Sequence, residues 1–374
     1  MQSYWETSTY SAPSDLLIIG SGLTGLLCAY HYAQRFPTRK VRILERGPFP
    51  FGASTRNAGF ACFGSPTELL DDLRELGEND TLKRVEMRVK GLEFYRSTFN
   101  PDDYDFNKRG GWEIFRLSES HIVENAKDRL DYLNQLLTPI LNERVYDVDK
   151  DINRFGAEIY PEGFHNPHEG QLHPGKLCRL IDKAIRQLGV EIVNGIEIET
   201  IENTSDEVIL LDKSGFAWKA AQCIVATNGL TKSLFPDENI EPARGQILMT
   251  SPIPELKWKG TFHIDRGYFY FRNVENRLLL GGGRHLDVLG ERSSERVTSE
   301  KIQTELEQLL KTLLPKANYK VDMRWSGIMA FGAKNEKAPR VEALSDNLVL
   351  AARLGGMGVA IAPEVSKQAV NLFS

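Results

Sequence analysis

The sequence predicts an α/β fold, and three observations near its start carry that expectation. DLLIIG (15–20) is a short apolar run of the kind a buried parallel strand shows. GSGLTGLLCAYHYAQRF (20–36) follows with apolar residues at helical spacing, and VRILERG (41–47) is a second strand. Strand, glycine turn, helix and strand in this order make a dinucleotide-binding β–α–β unit.

Each residue of the turn has a physical task. Gly20, Gly22 and Gly25 spell G-x-G-x-x-G. Gly20 permits the tight turn, Gly22 lets a pyrophosphate approach the backbone, and Gly25 lets helix and strand pack closely. Leu23 and Thr24 sit in the first helical turn, whose free N–H groups and dipole favour an anion. Glu45, ending the second strand with Arg46 beside it, can accept both hydroxyls of an adenosine ribose. An acid there would repel a 2′-phosphate, so NADP is not expected, while NAD and FAD stay open on this motif.

Composition excludes several classes. The chain has 374 residues, a net charge of −5, 41% apolar and 26% charged residues, as in a soluble globular protein. No basic stripe suggests a nucleic-acid partner. No apolar run nears the roughly 18 residues of a membrane span, and the N-terminus lacks a secretory pattern. Four scattered cysteines without a CxxC fit a reducing compartment, so a cytoplasmic protein is expected.

After Glu45 comes GASTRNAGFACFG (52–64), too polar for a core strand and too apolar for a solvated loop. Its Ser54 and Thr55 can donate to phosphate oxygens, and Arg56 can offset anionic charge. Ala58 and Gly59 leave room for a flat ring against backbone. Taken with the turn before it, this run resembles the FAD-dependent D-amino-acid oxidase/glycine oxidase superfamily. Its Gly-Ala-Ser-x-Arg-Asn-x-Gly loop matches Gly52, Ala53, Ser54, Thr55, Arg56, Asn57, Ala58 and Gly59. The resemblance implies a Rossmann-like FAD-binding domain interleaved with a mixed α+β substrate domain.

The later blocks resemble the family in the same order. QLHPGKLCRLIDKAIRQLGVEIV (171–193) is similar to a helix re-entering the cofactor domain, and NGIEIETIE (194–202) to the strand that would put Ile198 by the adenine. CIVATNGLT (223–231) resembles a third cofactor strand and turn carrying Thr227, Asn228 and Gly229. EPARGQILMT (241–250) and RLLLGGGRH (277–285) match two more segments. The tail (347–370) resembles a final strand, glycine turn and helix, which would set Gly355, Gly356, Met357, Gly358 and Val359 at the flavin's O2 side. The N-terminal SYWE (3–6) looks like the branch that includes γ-glutamylputrescine oxidase, or else a frayed arm.

The expected FAD-binding domain gathers 1–75, 168–240 and 335–374, and the substrate domain 76–167 and 241–334. The latter holds polar-faced helices at 81–99 and 121–137 and a strand-rich second part. A helix at 297–315 starts from Thr298 or Ser299 as cap and stops at Pro315.

The resemblance implies an enzyme in which flavin takes a hydride from the carbon bearing an amine, so no catalytic acid–base pair is assigned. Glycine-oxidase-like members hold the substrate carboxylate with an Arg in a Trp-x-Gly-x-Arg-Pro block. Here Trp325-Ser326-Gly327-Ile328-Met329-Ala330 puts Met329 at that place. A thioether cannot make a bidentate fork, which favours an amine or a substrate whose acid group is read elsewhere. Arg284 is the candidate replacement, or else a salt-bridge residue. His263, Tyr268 and Tyr270 are candidates on a strand facing the ring, the two tyrosines sharing a face, unless they are ordinary strand aromatics. HNPHEGQLH (165–173) matches no common metal spacing, so no metal is expected. Some family members tether flavin through a Cys in the C-terminal glycine turn; 353–358 has none, so FAD is expected to be non-covalent. The partners are then a small amine or amino acid and molecular oxygen or another acceptor. Two alternatives stay open: a dehydrogenase passing electrons elsewhere, and a non-catalytic FAD-binding assembly factor.

Overall fold

A computed structural model describes residues 3–333 and 336–373. The chain divides into two compact units. One gathers the residues up to Thr55, Pro174–Pro242 and those from Met329 onward; the other holds Arg56–His173 and Ala243–Ile328.

In the first unit the sheet runs Arg340–Ser345, Leu348–Ala352, Ala217–Val225, Ser14–Ile19, Val41–Glu45, Glu191–Asn194. All neighbours from Leu348–Ala352 to Glu191–Asn194 are parallel. Leu16, Leu17 and Ile18 are fully buried, which is why DLLIIG reads as a continuous apolar run rather than an alternation. The hairpin Ile198–Asn203/Val208–Asp212 adds to Ala217–Val225 antiparallel. Helix Leu23–Arg35 packs against Pro174–Gln187 and Gly358–Asn371. The glycine turn, Glu45, Thr227 and Arg353 all lie at or just past the C-terminal ends of parallel strands, where α/β sheets bind ligands.

In the second unit an eight-stranded sheet runs Val321–Phe331, Glu241–Thr250, Arg277–Gly282, Phe269–Val274, Thr261–Ile264, Gly111–Glu113, Gly163–Asn166, Asp147–Asp149. One face packs Trp258, Phe262, Phe269 and Phe271 against Ile302, Leu306 and Leu310 of helix Glu300–Leu313. Helices Pro66–Leu76, Glu78–Thr98 and Ser120–Leu141 surround a separate apolar cluster.

Three local expectations change. Residues 56–75, expected with the first unit, lie in the second, because Phe60–Ala61 pairs with Gly170–Gln171 and Pro66–Leu76 packs on Glu78–Thr98. The same pairing draws 168–173 into the second unit, while Met329–Ala333 falls in the first, where Ala330 O accepts Gly355 N at 3.0 Å. Ser299 precedes helix Glu300–Leu313 but makes no side-chain cap; its hydroxyl donates to Glu291 instead. The N-terminal segment is helical at Tyr4–Tyr10, with Tyr4, Trp5 and Tyr10 exposed.

Candidate functional site

In the first unit the turn is built almost wholly from backbone. Gly20 has φ +99°, a conformation that costs a residue with a Cβ. A Cβ on Gly25 would lie 1.9 Å from Gly20 O, so helix and turn can meet only at glycine. A Cβ on Gly22 would press on Ser54 Oγ at 3.0 Å, so glycine here is what lets Ser54 reach the first helical turn. Ser54 Oγ accepts the Leu23 N–H at 2.8 Å, and Leu23, Thr24 and Gly25 are buried.

Glu45 is buried at the end of its strand and organises the turn from the other side. One carboxylate oxygen accepts Ser21 N at 2.9 Å and Ser21 Oγ at 2.8 Å; the other accepts Gly47 N at 2.8 Å. Each carboxylate oxygen has two acceptor sites, so capacity remains for a ribose hydroxyl. Arg46 lies 3.9 Å from Glu197, with both side chains partly exposed. Ala53, Ser54 and Thr55 form a single 3₁₀ turn. Thr55 Oγ1 donates to Pro50 O at 2.8 Å, so the expected phosphate donor is already spent on its own loop.

The opposite rim is also backbone-lined. Asn228 has φ +46° and its Oδ1 accepts Leu354 N at 3.3 Å; Thr227 and Thr231 share a hydroxyl bond of 2.9 Å, and Gly229 is buried. Gly355 has φ +58°, Gly356 faces open space, and Met357 precedes helix Gly358–Asn371, of which Val359 is buried. Arg353, absent from the sequence candidates, shapes this turn. It has φ +62° and ties to Glu336 and to Ala338 O at 3.0 Å. Ile198, buried, opens its strand. Open glycine backbone, a helix N-terminus and a buried carboxylate together fit a dinucleotide.

In the second unit the loop continues as a tightly held hairpin of bonds. Arg56 donates from Nη1 to Ser326 O at 3.0 Å, and Trp325 Nε1 donates to Arg56 O at 2.9 Å. Asn57 Oδ1 accepts Gly59 N at 2.8 Å, and Gly59 has φ +72°. Gly59 O accepts Leu172 N at 2.8 Å and Arg272 Nη1 at 3.0 Å. Ala58 packs on Ile247 and Leu279.

Those contacts lie on the sheet face opposite the aromatic core. Strands Thr261–Ile264 and Phe269–Val274 pair antiparallel with Thr261 opposite Arg272 and His263 opposite Tyr270. Alternation puts Phe262, Ile264, Phe269 and Phe271 in the core and leaves Thr261, His263, Tyr270 and Arg272 together on the other side. Glu113 joins the same row, in register with His263. Gly111 and Gly281 make room there. A Cβ on Gly111 would lie 2.0 Å from Glu169 Oε2, and one on Gly281 would lie 2.7 Å from the Tyr270 ring.

This face is charged and buried. His263 Nε2 lies 3.2 Å from Glu169 Oε2, which also accepts Thr261 Oγ1 at 3.1 Å. Burial opposes the His263 charge, but Glu169, with Glu68 and Glu113, outweighs it and raises its pKa. Burial lifts Glu113 to about 7, against the hydrogen bonds of Thr67 and the nearby His263. Burial also pushes Tyr270 up to about 12 and, with Glu169 and Glu68, pushes the Cys62 thiol well up. Cys62, Glu169 and His263 hold their ligand atoms within 4.8 Å of one another. The direct His263–Glu169 contact accounts for that cluster as an ion pair beside a buried thiol.

One expectation is corrected. Tyr268 is not on the strand with Tyr270. It follows a turn with left-handed Asp265, Arg266 and Gly267, is 46% exposed, and stacks on His285 at 4.4 Å. Its alternation with Tyr270 stops because the strand begins at Phe269. Arg284 opens a short 3₁₀ turn, its pKa lowered by burial. Met329 is half-buried between Ile328 and Ala330 on Val321–Phe331. Glu113, Glu169 and Arg272 escaped the sequence candidates. The alternation T-x-H and Y-x-R across one hairpin was the signal for Arg272; nothing local marked Glu113.

The family model described as FAD dependent oxidoreductase (DAO) matches residues 15–372. Gamma-glutamylputrescine oxidoreductase of Escherichia coli is 25% identical over 370 residues, covering 95% of this chain and 82% of that protein. The crystal structure of L-proline dehydrogenase from P. horikoshii superposes with a TM-score of 0.74 at 15% identity, covering 96% of this chain and 93% of that one. Glycine oxidase from Geobacillus kaustophilus gives 0.71 at 19%, covering 96% and 94%. Among the described residues no helix is long and apolar enough to cross a membrane.

Proposed function

The chain belongs to the FAD-dependent oxidoreductase (DAO) family, and on that premise we propose that it oxidises the C–N bond of an amine. It is an FAD enzyme acting on amines or amino acids. Bound FAD supplies the hydride acceptor for that oxidation, and water hydrolyses the resulting imine to a carbonyl compound and ammonia or an amine. The glycine turn, Glu45 and the 52–59 and 355–359 segments are the proposed FAD contacts. All four cysteines are buried and none lies in 353–358, which supports non-covalent attachment.

The observation that carries the amine reading is Met329. The family's carboxylate-binding Arg is replaced by a side chain without a donor, and Arg56 spends a guanidinium nitrogen on Ser326 O. Two groups beside the inner sheet face keep their protons at neutral pH. Tyr270 keeps its phenol proton and Cys62 stays a thiol, while the Glu169 carboxylate raises the pKa of His263 against its burial. A substrate ammonium must lose its proton before its carbon can give up hydride. The rate constant kcat/KM should rise with pH through the substrate amine's pKa.

Anaerobic mixing with a panel of amines and α-amino acids tests this. Bleaching of the flavin band by amines is expected. Bleaching by α-amino acids alone would overturn the amine reading. Oxygen uptake with matching peroxide marks an oxidase; reduction without it marks a dehydrogenase.

A further inference from the structure

Arg272 is a buried cation whose bonds go to backbone rather than to an acid. It is 7% exposed. Its Nη1 donates to Gly59 O at 3.0 Å and to Leu172 O at 2.9 Å, and Leu172 N donates to Gly59 O at 2.8 Å. Among the described residues its Nε, buried, has no partner. Burial pulls its pKa down to about 10, against the more distant charge of Asp105. A guanidinium held this way costs desolvation that a Leu or Met at the same position would avoid. What it gains is control of two carbonyls from segments more than a hundred residues apart.

We propose that Arg272 is the positioning residue that fixes the Gly59 carbonyl, and with it the Asn57–Gly59 turn, in the conformation that receives FAD. The physical reason is preorganisation. Asn57 Oδ1 already closes the turn through Gly59 N, but that bond is local and sets only the turn's internal shape. Arg56 and Ala58 anchor the start of the loop to the sheet through Ser326, Trp325, Ile247 and Leu279, but Gly59, at φ +72°, has no side chain to hold its own carbonyl. Arg272 supplies it from a strand whose other face is locked into the aromatic core through Phe271. A loop so held does not lose conformational entropy again when a ligand arrives. This assignment rests on the reading that the 52–59 loop contacts FAD.

The test uses apoprotein of the full chain, titrated with FAD and followed by flavin fluorescence, for wild type, R272K and R272Q. Hydrogen exchange is read on the same three proteins. R272Q is expected to weaken FAD binding about tenfold or more, with R272K between it and wild type. Exchange should quicken in 56–63 and 170–173 while helix Glu300–Leu313 stays protected. A merely structural role would loosen both regions together and would sink the assignment. So would unchanged FAD affinity in the variants, and if R272Q does not fold, R272K alone decides. Wild-type apoprotein that refuses FAD overturns the cofactor reading itself, whereas wild type that binds beside variants that bind equally well overturns only the role of Arg272.

Discussion

The glycine turn of the first unit and the inner sheet face of the second solve the same problem with opposite materials. The turn presents backbone: side chains are removed at Gly20, Gly22 and Gly25, and one buried acid, Glu45, ties three donors. The inner face presents side chains: Glu113, Glu169, His263, Tyr270 and Arg272 gather around glycines 111 and 281, with His263 paired to Glu169 and Arg272 bonded to backbone carbonyls. Backbone surfaces tolerate no added atom, because their geometry is steric. Side-chain surfaces tolerate exchange of shape but respond to pH, because their geometry is electrostatic.

The steepest test of that contrast is Gly25→Ala. Its Cβ would sit 1.9 Å from Gly20 O, so a loss of about 3 kcal/mol or more is expected, with no FAD retained. Thermal unfolding and flavin content measure both. A variant of full stability and full FAD content would break the steric side of the comparison.

Next in size is the pH response of the inner face. Glu113 has its pKa raised to about 7 by burial, so the folded state binds a proton that the unfolded state has released. Stability should then fall as pH climbs from about 4.5 through about 7, by up to about 3 kcal/mol. His263, also raised, contributes in the same direction, its share being lost as pH rises through its folded value. Thr67 and Ser65 bond Glu113, and Glu169 and Glu68 act on His263, so these groups also face the pair. Glu113→Gln should flatten the urea-midpoint profile over that window. An unchanged slope would remove Glu113 from the account.

Glu45→Gln is expected to cost about 1–3 kcal/mol, because one amide oxygen must replace a carboxylate serving Ser21 and Gly47. FAD affinity should fall with it, as read by titration of apoprotein. The smallest effect belongs to Tyr268→Ala. That side chain is 46% exposed and outside the strand, so a change below about 1 kcal/mol is expected, with little change in flavin reduction rate. A large kinetic loss would return Tyr268 to the substrate wall beside Tyr270.

Legibility follows the same division. G-x-G-x-x-G, Glu45 and the buried strands could be read directly, since each is a local constraint of backbone on residue type. The 52–64 segment stood out by composition, but the seam within it did not. Thr55 spends its hydroxyl on Pro50 within one unit, while Gly59 pairs with Leu172 in the other. Tyr268 misled because strand period says which residues share a face only while the strand lasts, and the left-handed turn at Asp265–Gly267 ends it.

By itself the amino-acid sequence determined the parallel sheet, the glycine turn and the acid beside it, because glycine spacing and apolar runs act over a few residues. Only the tertiary structure decided that Glu113, Glu169, His263 and Arg272 share one face. Glu169 and His263 lie 94 positions apart in the chain, and Gly59 and Arg272 lie 213 apart. Such pairings are chosen by sheet register and burial, which no local pattern encodes.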